Sequence, residues 1–268
     1  MDRTRWRARD YDGDVTIEWA GPLKPLTSAI AQSGFTFVRA GEMRELLMRA
    51  GSLVDWPAFA ASWDNLELDG YMADGGRYRR RRHAVYAAMA DGPIVREPHQ
   101  PHYQSRDYNT LNGGIARWFE PVDTAIGSGA TMSAILAFSR ALFESVAGPR
   151  NWHIETHQFR IEARQDERGQ PTPEGVHRDG VDYVLVLLIG RRNIRSGTTT
   201  VHRVNPTPGD KGPRSEADEI GRFTLTDPLD AALLDDSRVA HGVTPIEPVD
   251  VERPACRDVL VVTWQHTG

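Results

Sequence analysis

The sequence contains very little cysteine and begins without a long apolar run. Cys256 is the single cysteine among 268 residues, so no disulfide can form within the chain, which is typical of a reducing compartment. Residues 1–14 mix basic and acidic side chains and lack the apolar segment of a secretory signal. No stretch approaches the roughly 18 consecutive apolar residues that predict a membrane span. We therefore expect a cytoplasmic protein.

An excess of basic residues is also missing. The 32 Lys and Arg residues face 37 Asp and Glu residues, for a net charge of −5, and this balance does not favour binding to nucleic acid. A chain of this length can bury a core without disulfides or a structural metal. We expect one domain over residues 1–268 that acts on a small molecule, with no nucleic-acid or membrane partner. The sequence does not indicate an oligomeric state.

The first half of the chain carries apolar residues at helical spacing. The pattern predicts a helix followed by a strand over residues 23–37 and further helices over 42–50 and 131–146. Glycines follow these helices closely and are typical helix terminators. These segments indicate a partly helical N-terminal layer.

From Trp152 onward the pattern changes to strands rich in Val, Ile and Thr, separated by Gly, Pro and Asp. The segment 183–189 is apolar on both faces, so we expect it to be a central strand. The sequence thus predicts an α+β, mainly β fold, with a sandwich or jelly roll from about residue 152. The predicted strands are residues 153–161, 183–189, 198–204, 221–224, 231–234 and 258–264.

A His-x-Asp triplet precedes the predicted central strand. In an extended chain alternate side chains share a face, so His177 and Asp179 would point the same way, with Arg178 turned aside. Such a triplet alone is more often a surface turn than a metal site. A third ligand from elsewhere in the chain is needed before a metal site is indicated.

His241 is the candidate for that third ligand, because it lies at the edge of another predicted strand and before a turn. Two histidines and one carboxylate on one face of an octahedral ferrous ion leave positions open. A bidentate oxo-acid and then dioxygen can occupy those positions. His177, Asp179 and His241 are therefore the predicted metal ligands and catalytic residues.

Arg257 begins the last predicted strand, which follows His241 closely enough to lie beside it in a sheet. A guanidinium binds a carboxylate through two parallel hydrogen bonds, so Arg257 could anchor the distal carboxylate of a keto-acid. The alternative is a strand-end arginine paired with Asp258 or another acid. Arg253 is a rival anchor, but it precedes Pro254 in an irregular loop, and we favour Arg257.

Two further histidine groups are weaker candidates. His153, Glu155 and His157 alternate along one predicted strand, but their backbones span about 13 Å, too far for one ion. His157 is instead expected in the pocket wall, oriented by Gln158, or as a satisfied core histidine. His102 lies in a proline-rich predicted loop, where we expect no metal.

The run Arg79–Arg82 has three interpretations. It could be a nucleic-acid patch, although in a chain of net charge −5 a solvated or ion-paired stretch is more common. If the run is a strand, Arg79 and Arg81 share a face. They could then hold a substrate carboxylate or brace a keto-acid, with Tyr86 contributing.

From about residue 74 to Trp264 the sequence resembles the bacterial 2-oxoglutarate dioxygenases that include free-amino-acid hydroxylases such as isoleucine 4-hydroxylase. Residues 1–73 contribute nothing to this resemblance. The most specific matching pieces are the last two, which agree in both spacing and neighbours. In chain order the pieces are the arginine run ending at Tyr86, Gly113-Gly114, His157-Gln158-Phe159-Arg160, His177-Arg178-Asp179, Gly197-Thr198-Thr199-Thr200, His241-Gly242-Val243-Thr244-Pro245 and the strand from Arg257 to Thr263.

The resemblance implies a double-stranded β-helix core, Fe(II) on His177, Asp179 and His241, and 2-oxoglutarate on Arg257. It also implies hydroxylation of a free L-amino acid or small derivative, with O2 consumed and 2-oxoglutarate converted to succinate and CO2. In such an enzyme the cofactors perform the oxidation and the protein orients them. Two other classes stay open: a non-oxidative metal-dependent jelly-roll enzyme, and a non-catalytic small-molecule sensor of the same fold.

Overall fold

The described α-helices all end by Ala147, in a computed structural model that describes residues 5–7, 16–109, 111–204 and 218–268. They are Ala20–Ser33 (α1), Ala40–Ala50 (α2), Trp56–Ala61 (α3), Thr124–Gly127 (α4) and Ala130–Ala147 (α5), with a 3-10 turn at Ser62–Asn65. The strands are Arg5–Arg7 (β1), Thr16–Glu18 (β2), Phe35–Val38 (β3), Glu67–Leu68 (β4), Arg79–Ala88 (β5), Ile94–Arg96 (β6), His102–Tyr103 (β7), Ala116–Arg117 (β8), Trp152–Ala163 (β9), Tyr183–Arg192 (β10), Ile194–Ser196 (β11), Thr198–Arg203 (β12), Glu219–Thr224 (β13), Ala231–Asp235 (β14), Val239–Val243 (β15), Ile246–Pro248 (β16) and Ala255–His266 (β17).

Antiparallel sheets dominate the second half of the chain, which confirms the mainly β prediction. The large sheet has eight strands in the order β3-β14-β10-β17-β9-β5-β4, with β6 beside β5. A three-stranded sheet has the order β13-β12-β15. Strand β10 lies between β14 and β17, and Val184, Leu185, Leu187 and Leu188 are fully buried. The predicted central strand is therefore confirmed, because side chains on both of its faces are covered.

Helix α5 contacts both α1 and α2, and the three helices cover one face of the large sheet. Their apolar residues join a single core cluster with residues of β10 and β17. In that cluster Ile30 of α1, Met43 of α2 and Phe138 of α5 are fully buried. Burial of such faces on the sheet is what stabilises amphipathic helices in a protein. The opposite face of the sheet is left for the site described below.

Helix α5 is an exception to the expected absence of an apolar segment long enough to span a membrane. Its 18 residues reach a mean hydropathy of 1.2, sufficient in length and composition to cross a bilayer. However, 61% of this segment is buried inside the protein. Packing against the core therefore accounts for its apolar character.

The turn from α1 to β3 requires a glycine. Gly34 has a φ of 82°, and its N–H donates to the carbonyl of Ile30 to close the helix. A Cβ at this position would lie 2.7 Å from a methyl group of Val239 in β15. The glycine thus brings α1 against the strand that carries His241.

Candidate active site

A cavity of about 530 Å³ lies beside the large sheet. Alternate residues of β9 and β17 line one side of it, as expected for strands whose neighbouring side chains point to opposite faces. Thr199 of β12 and His241 and Val243 of β15 line it from the small sheet. This volume is within the range of small-molecule sites and leaves room for more than one small ligand.

His177, Asp179 and His241 meet in this cavity. The Nε2 atom of His177 lies 3.6 Å from Oδ1 of Asp179, and the Nε2 atom of His241 lies 3.9 Å from Oδ2. One ligand atom from each of the three lies within 4.8 Å of the others. His241 belongs to β15, and the segment containing His177 pairs with it through an isolated bridge. The structure thus brings together His177 and His241, which are 64 positions apart in the chain, with Asp179 between them in sequence.

The protein fixes which nitrogen of His177 faces the centre of this group. Its Nδ1 lies 3.1 Å from the carbonyl oxygen of Gly175, so Nδ1 carries a proton and Nε2 is the nitrogen that faces the group, where a bound metal would replace its proton. Burial alone would lower the pKa of His177, but the charges of Glu174 and Asp179 outweigh it and raise the pKa to about 10. Burial and the nearby His177 lower the pKa of His241 to about 4. The two carboxylates make this part of the cavity attractive to a cation.

The loop that carries Asp179 is held by the buried carboxylate of Asp236. Its oxygens accept hydrogen bonds from the backbone N–H groups of Asp179 at 2.9 Å and Gly180 at 2.8 Å. The side-chain amide of Gln104 donates to the carbonyl of Asp179 at 2.9 Å. Neither Asp236 nor Gln104 was identified from the sequence, since they do not share a motif with the ligands. Such supporting groups orient metal ligands.

The donor set fits a ferrous ion. Two histidine side chains and one carboxylate that approach a metal from the same side form the arrangement that non-haem Fe(II) oxygenases use. In the described part of the chain the triad is one of two such groups of His, Asp and Glu side chains, the other being His83, His102, Glu155 and His157. The triad can therefore hold a divalent metal and leave coordination positions facing the cavity.

Arg257 lines the same cavity and lacks a partner for part of its guanidinium. The residue is 2% exposed, and its Nε and Nη2 atoms have no hydrogen-bond acceptor among the described residues. Burial and the proximity of Arg191 lower the pKa of Arg257 to about 10, which leaves it charged at neutral pH. A buried cation without an acceptor is costly, so an anionic ligand is expected here. The rival Arg253 is exposed and does not line the cavity.

Arg79, Arg81 and His157 also line the cavity, whereas Tyr86 does not. The hydroxyl of Tyr86 donates to the carbonyl of Gly127 at 2.8 Å, inside the core. The prediction for Tyr86 is therefore wrong, because even-numbered residues of β5 face away from the arginines at 79 and 81. His157 is oriented by Arg81, whose Nη2 lies 2.7 Å from its Nδ1, and not by Gln158, which donates to Ser62.

Glu155 and His157 belong to a different cluster from the strand set His153, Glu155 and His157 that was considered in the sequence, because His83 and His102 join them and His153 is not a member. The four side chains come from β5, β7 and β9, and one ligand atom from each lies within 4.8 Å of the others. His102 belongs to this group, although we expected a loop there. The sequence did not reveal this cluster, because its side chains come from three strands and converge on Glu155.

Comparison with known proteins agrees with this geometry. Residues 60–263 match the family model described as 2OG-Fe dioxygenase. The chain is 24% identical over 248 residues to the 3(1)-hydroxy-L-isoleucine 4-dioxygenase of Pantoea ananatis, covering 88% of this chain and 93% of that protein. It is 26% identical over 207 residues to the L-isoleucine-4-hydroxylase of Bacillus thuringiensis, covering 75% and 79%. The crystal structure of a bsmA homologue from Methylobium petroleophilum PM1 matches with a TM-score of 0.78 and 35% identity, covering 92% of this chain and 94% of the other.

This chain belongs to the 2OG-Fe dioxygenase family. The resemblance seen in the sequence motifs is confirmed, and the matched region begins earlier than residue 74. The chain is accordingly an oxidoreductase that acts on a small molecule, and the cofactors of its family are Fe(II), 2-oxoglutarate and O2.

Proposed function

We propose that this protein is an Fe(II)- and 2-oxoglutarate-dependent hydroxylase of a free L-amino acid or a small amino-acid derivative. In this proposal His177, Asp179 and His241 hold the iron, and Arg257 binds the distal carboxylate of 2-oxoglutarate. We also infer that the strands form the double-stranded β-helix typical of such enzymes. The observation that carries the proposal is the presence of the ligand triad and a buried arginine without an acceptor in one cavity.

The division of work between metal and protein follows from this placement. When bound, Fe(II) with 2-oxoglutarate and O2 supplies the oxidation of an unactivated C–H bond. His177, Asp179 and His241 would hold the metal from one side of the cavity and would leave room for the co-substrate on the other. Arg257 orients the keto-acid through two-pronged hydrogen bonding. Buried side chains of β9 and β17 exclude water around the reacting groups.

The amino-acid class of substrate is supported by the named relatives, which are isoleucine hydroxylases or dioxygenases. The cavity is lined by side chains of both charges, as expected for a zwitterionic ligand.

Arg79 and Arg81, which were predicted to bind a substrate carboxylate or the keto-acid, already have partners inside the protein. Arg79 is hydrogen-bonded to Asp69 at 2.8 Å, and Arg81 contacts His157 at 2.7 Å. We therefore assign to these two arginines the bracing of the cavity wall.

The first test is spectroscopic. Fe(II) and 2-oxoglutarate added together under nitrogen are expected to give a weak visible charge-transfer band that neither gives alone. The twenty L-amino acids are then screened in air for succinate release and for a product heavier by one oxygen atom, starting with L-isoleucine. No band would contradict the assignment of iron and 2-oxoglutarate, and a band without succinate release for any amino acid would contradict the substrate class.

A further inference from the structure

Glu155 is a largely covered carboxylate in the cavity, with 12% of its side chain exposed, and its close neighbours are histidines. Its Oε2 atom lies 2.6 Å from Nδ1 of His102, 3.2 Å from Nε2 of His157 and 3.7 Å from Nε2 of His83. Its Oε1 atom lies 3.4 Å from Nε2 of His153. Within the described ranges no arginine or lysine lies within 4.0 Å of it. A directly paired counter-charge therefore depends on whether any of the imidazoles is protonated, since the charges of Arg81 and Arg117 act on Glu155 only from beyond that distance.

The hydrogen-bond network indicates that the closest imidazoles are neutral donors. A guanidinium only donates hydrogen bonds, so the contact from Arg81 to Nδ1 of His157 at 2.7 Å requires that Nδ1 be unprotonated. The proton of His157 is then on Nε2, directed at Glu155. Burial lowers the pKa of His102 to about 4 and that of His157 well below its usual value. Burial alone would raise the pKa of Glu155, but hydrogen bonds from His102 and other histidines hold it well below its usual value. Glu155 is thus an anion with hydrogen bonds but without a full counter-charge.

A metal ion is a poor match for this group, although the spacing of its atoms would allow one. A histidine that binds a metal donates its other N–H to an acceptor. His157 has the reverse arrangement, since Arg81 donates to its Nδ1 and the proton on Nε2 occupies the lone pair that a metal needs. A ligand with N–H donors, such as an ammonium group, suits Glu155 better.

Arg117 provides a cation without a direct partner on the same wall. It lies directly opposite His102 in the β7–β8 pair, where facing residues are about 4.5–5.5 Å apart at Cα. Arg117 is 2% exposed, and its Nε and Nη2 atoms have no acceptor among the residues that the structure describes. Both Arg117 and Glu155 line the cavity. The cavity therefore offers both an acceptor for an ammonium group and a donor for a carboxylate, and the charge of Glu155 is one of those that act on Arg117.

Glu155 lies far along the sheet from the proposed 2-oxoglutarate anchor. In the pairing of β17 with β9, Arg257 faces Ile161 and Thr263 faces Glu155. The six positions between 257 and 263 correspond to roughly 20 Å along the strand. A five-carbon diacid bound to Arg257 is much shorter than this distance. The Glu155 end of the cavity therefore stays available for a second ligand while the co-substrate is bound.

We infer that Glu155 binds the α-ammonium group and Arg117 the α-carboxylate of a free L-amino acid, whose side chain extends along the cavity toward the triad. This assignment rests on the proposed function for the class of substrate. It goes further in requiring both charged groups to be free, which excludes a substrate tethered to a carrier through its carboxylate. Glu155 and Arg117 then determine specificity and position the substrate.

The test measures binding by calorimetry under nitrogen, with the protein loaded with Fe(II) and 2-oxoglutarate. The probes are L-isoleucine, the other nineteen L-amino acids, and the N-acetyl and methyl ester forms of the tightest binder. Wild-type protein is expected to bind the free amino acid at least about 10-fold more tightly than either blocked form, as for the loss of a hydrogen-bonded charge. Equal binding of a blocked form, or no binding by any amino acid, would overturn the inference.

Variants locate the effect. Glu155→Gln and Arg117→Met are expected to weaken binding by about 10- to 100-fold and to leave the charge-transfer band intact. Glu162→Gln is the matched control on the same strand, since Glu162 pairs with Arg80 outside the cavity. Arg195→Met is the control for Arg117, since Arg195 is exposed and pairs with Glu247. Affinity within twofold of wild type in Glu155→Gln would contradict the assignment.

Two further readouts separate this inference from its rivals. The metal content is measured after incubation with excess Zn(II); a second equivalent per chain that Glu155→Gln removes would show a metal site and overturn the inference. Amino-acid binding that depends on Glu155, without succinate release, would support the inference and contradict the hydroxylase. The wild-type comparison with blocked amino acids stays decisive if a variant fails to fold.

Discussion

His177 and His241 are fixed opposite each other by two backbone hydrogen bonds. The N–H of His177 donates to the carbonyl of His241 at 2.9 Å, and the N–H of His241 donates to the carbonyl of His177 at 2.8 Å. Their ring centroids are 4.7 Å apart. The spacing of two proposed iron ligands is thus set by strand pairing, whereas the third, Asp179, depends on the loop that follows.

Removing the carboxylate of the triad tests the metal assignment. We expect Asp179→Ala to abolish the charge-transfer band and succinate release, because two imidazoles alone leave the metal without its anionic ligand. Titration with Fe(II) under nitrogen measures the loss. Asp166→Ala changes an exposed acid and is the control. An undiminished band in Asp179→Ala would refute the role of Asp179.

Arg257→Ala tests the anchor of the keto-acid. We expect the KM for 2-oxoglutarate to rise by about 10- to 100-fold, the effect of losing hydrogen bonds to a charged group, with iron still bound. Steady-state succinate assays at varied 2-oxoglutarate measure the change. Arg253→Ala is a close control, because it removes an exposed arginine of the same loop and strand region. An equal rise in both variants would mean that Arg257 is not the anchor.

Asp236→Ala tests how the loop supports the metal ligands. Without Asp236 the N–H groups of Asp179 and Gly180 lose their acceptors, and we expect iron affinity to fall by about 10- to 100-fold, as for other supporting groups. Asp236→Asn keeps one acceptor oxygen and should lose less. The measurement is competition with a coloured chelator, with Asp227→Ala, an exposed acid, as the control. Unchanged affinity in Asp236→Ala would show that the loop holds its shape without it.

Asp55 is expected to stabilise the start of α5 from a different part of the chain. Its Oδ1 accepts the N–H of Thr131 at 2.8 Å and also the Thr131 hydroxyl, whereas the residue before the helix, Gly129, offers no side-chain cap. Asp55→Ala should lower the free energy of unfolding by about 1 kcal/mol, as for loss of an N-cap. Asp55→Asn should lose less, because it keeps an acceptor oxygen. Urea unfolding measures both.

The contribution of Asp55 should depend on pH in one direction. Burial by itself would raise its pKa, but the hydrogen bonds from Thr131 outweigh burial and lower the pKa in the folded protein. The stabilisation is therefore complete above the ordinary carboxyl pKa of about 3.9 and is lost as the pH falls through the folded value. The difference between wild type and Asp55→Ala should shrink in acid. A difference that grows below pH 4 would contradict this explanation.

The sequence by itself determined the type of the longest helices and of the C-terminal strands, and the identity of the ligand candidates, whereas β5 was only one of several interpretations of its arginine run. The helical spacing of apolar residues in α5 and the apolar run of β10 are local patterns. The first predicts a helix with one buried face, and the second predicts a strand that is buried on both faces. The triplet from His177 to Asp179 is also a local pattern, because alternate side chains of an extended chain point to the same face and so place His177 beside Asp179. The motif around His241 and the strand at Arg257 were readable because their neighbours in the chain are part of the pattern.

Only the tertiary structure decided which side chains meet across strands and which remain without a partner. Glu155 gathers His83, His102 and His157 from three strands through the register of β5 with β9 and the position of β7, and no local pattern specifies that register. The buried guanidinium of Arg117 became informative only when its lack of an acceptor was visible. Asp236 supports Asp179 across 57 positions of the chain. Because such contacts depend on long-range packing, the sequence could propose the ligands but not the groups that support them or the Glu155 end of the cavity.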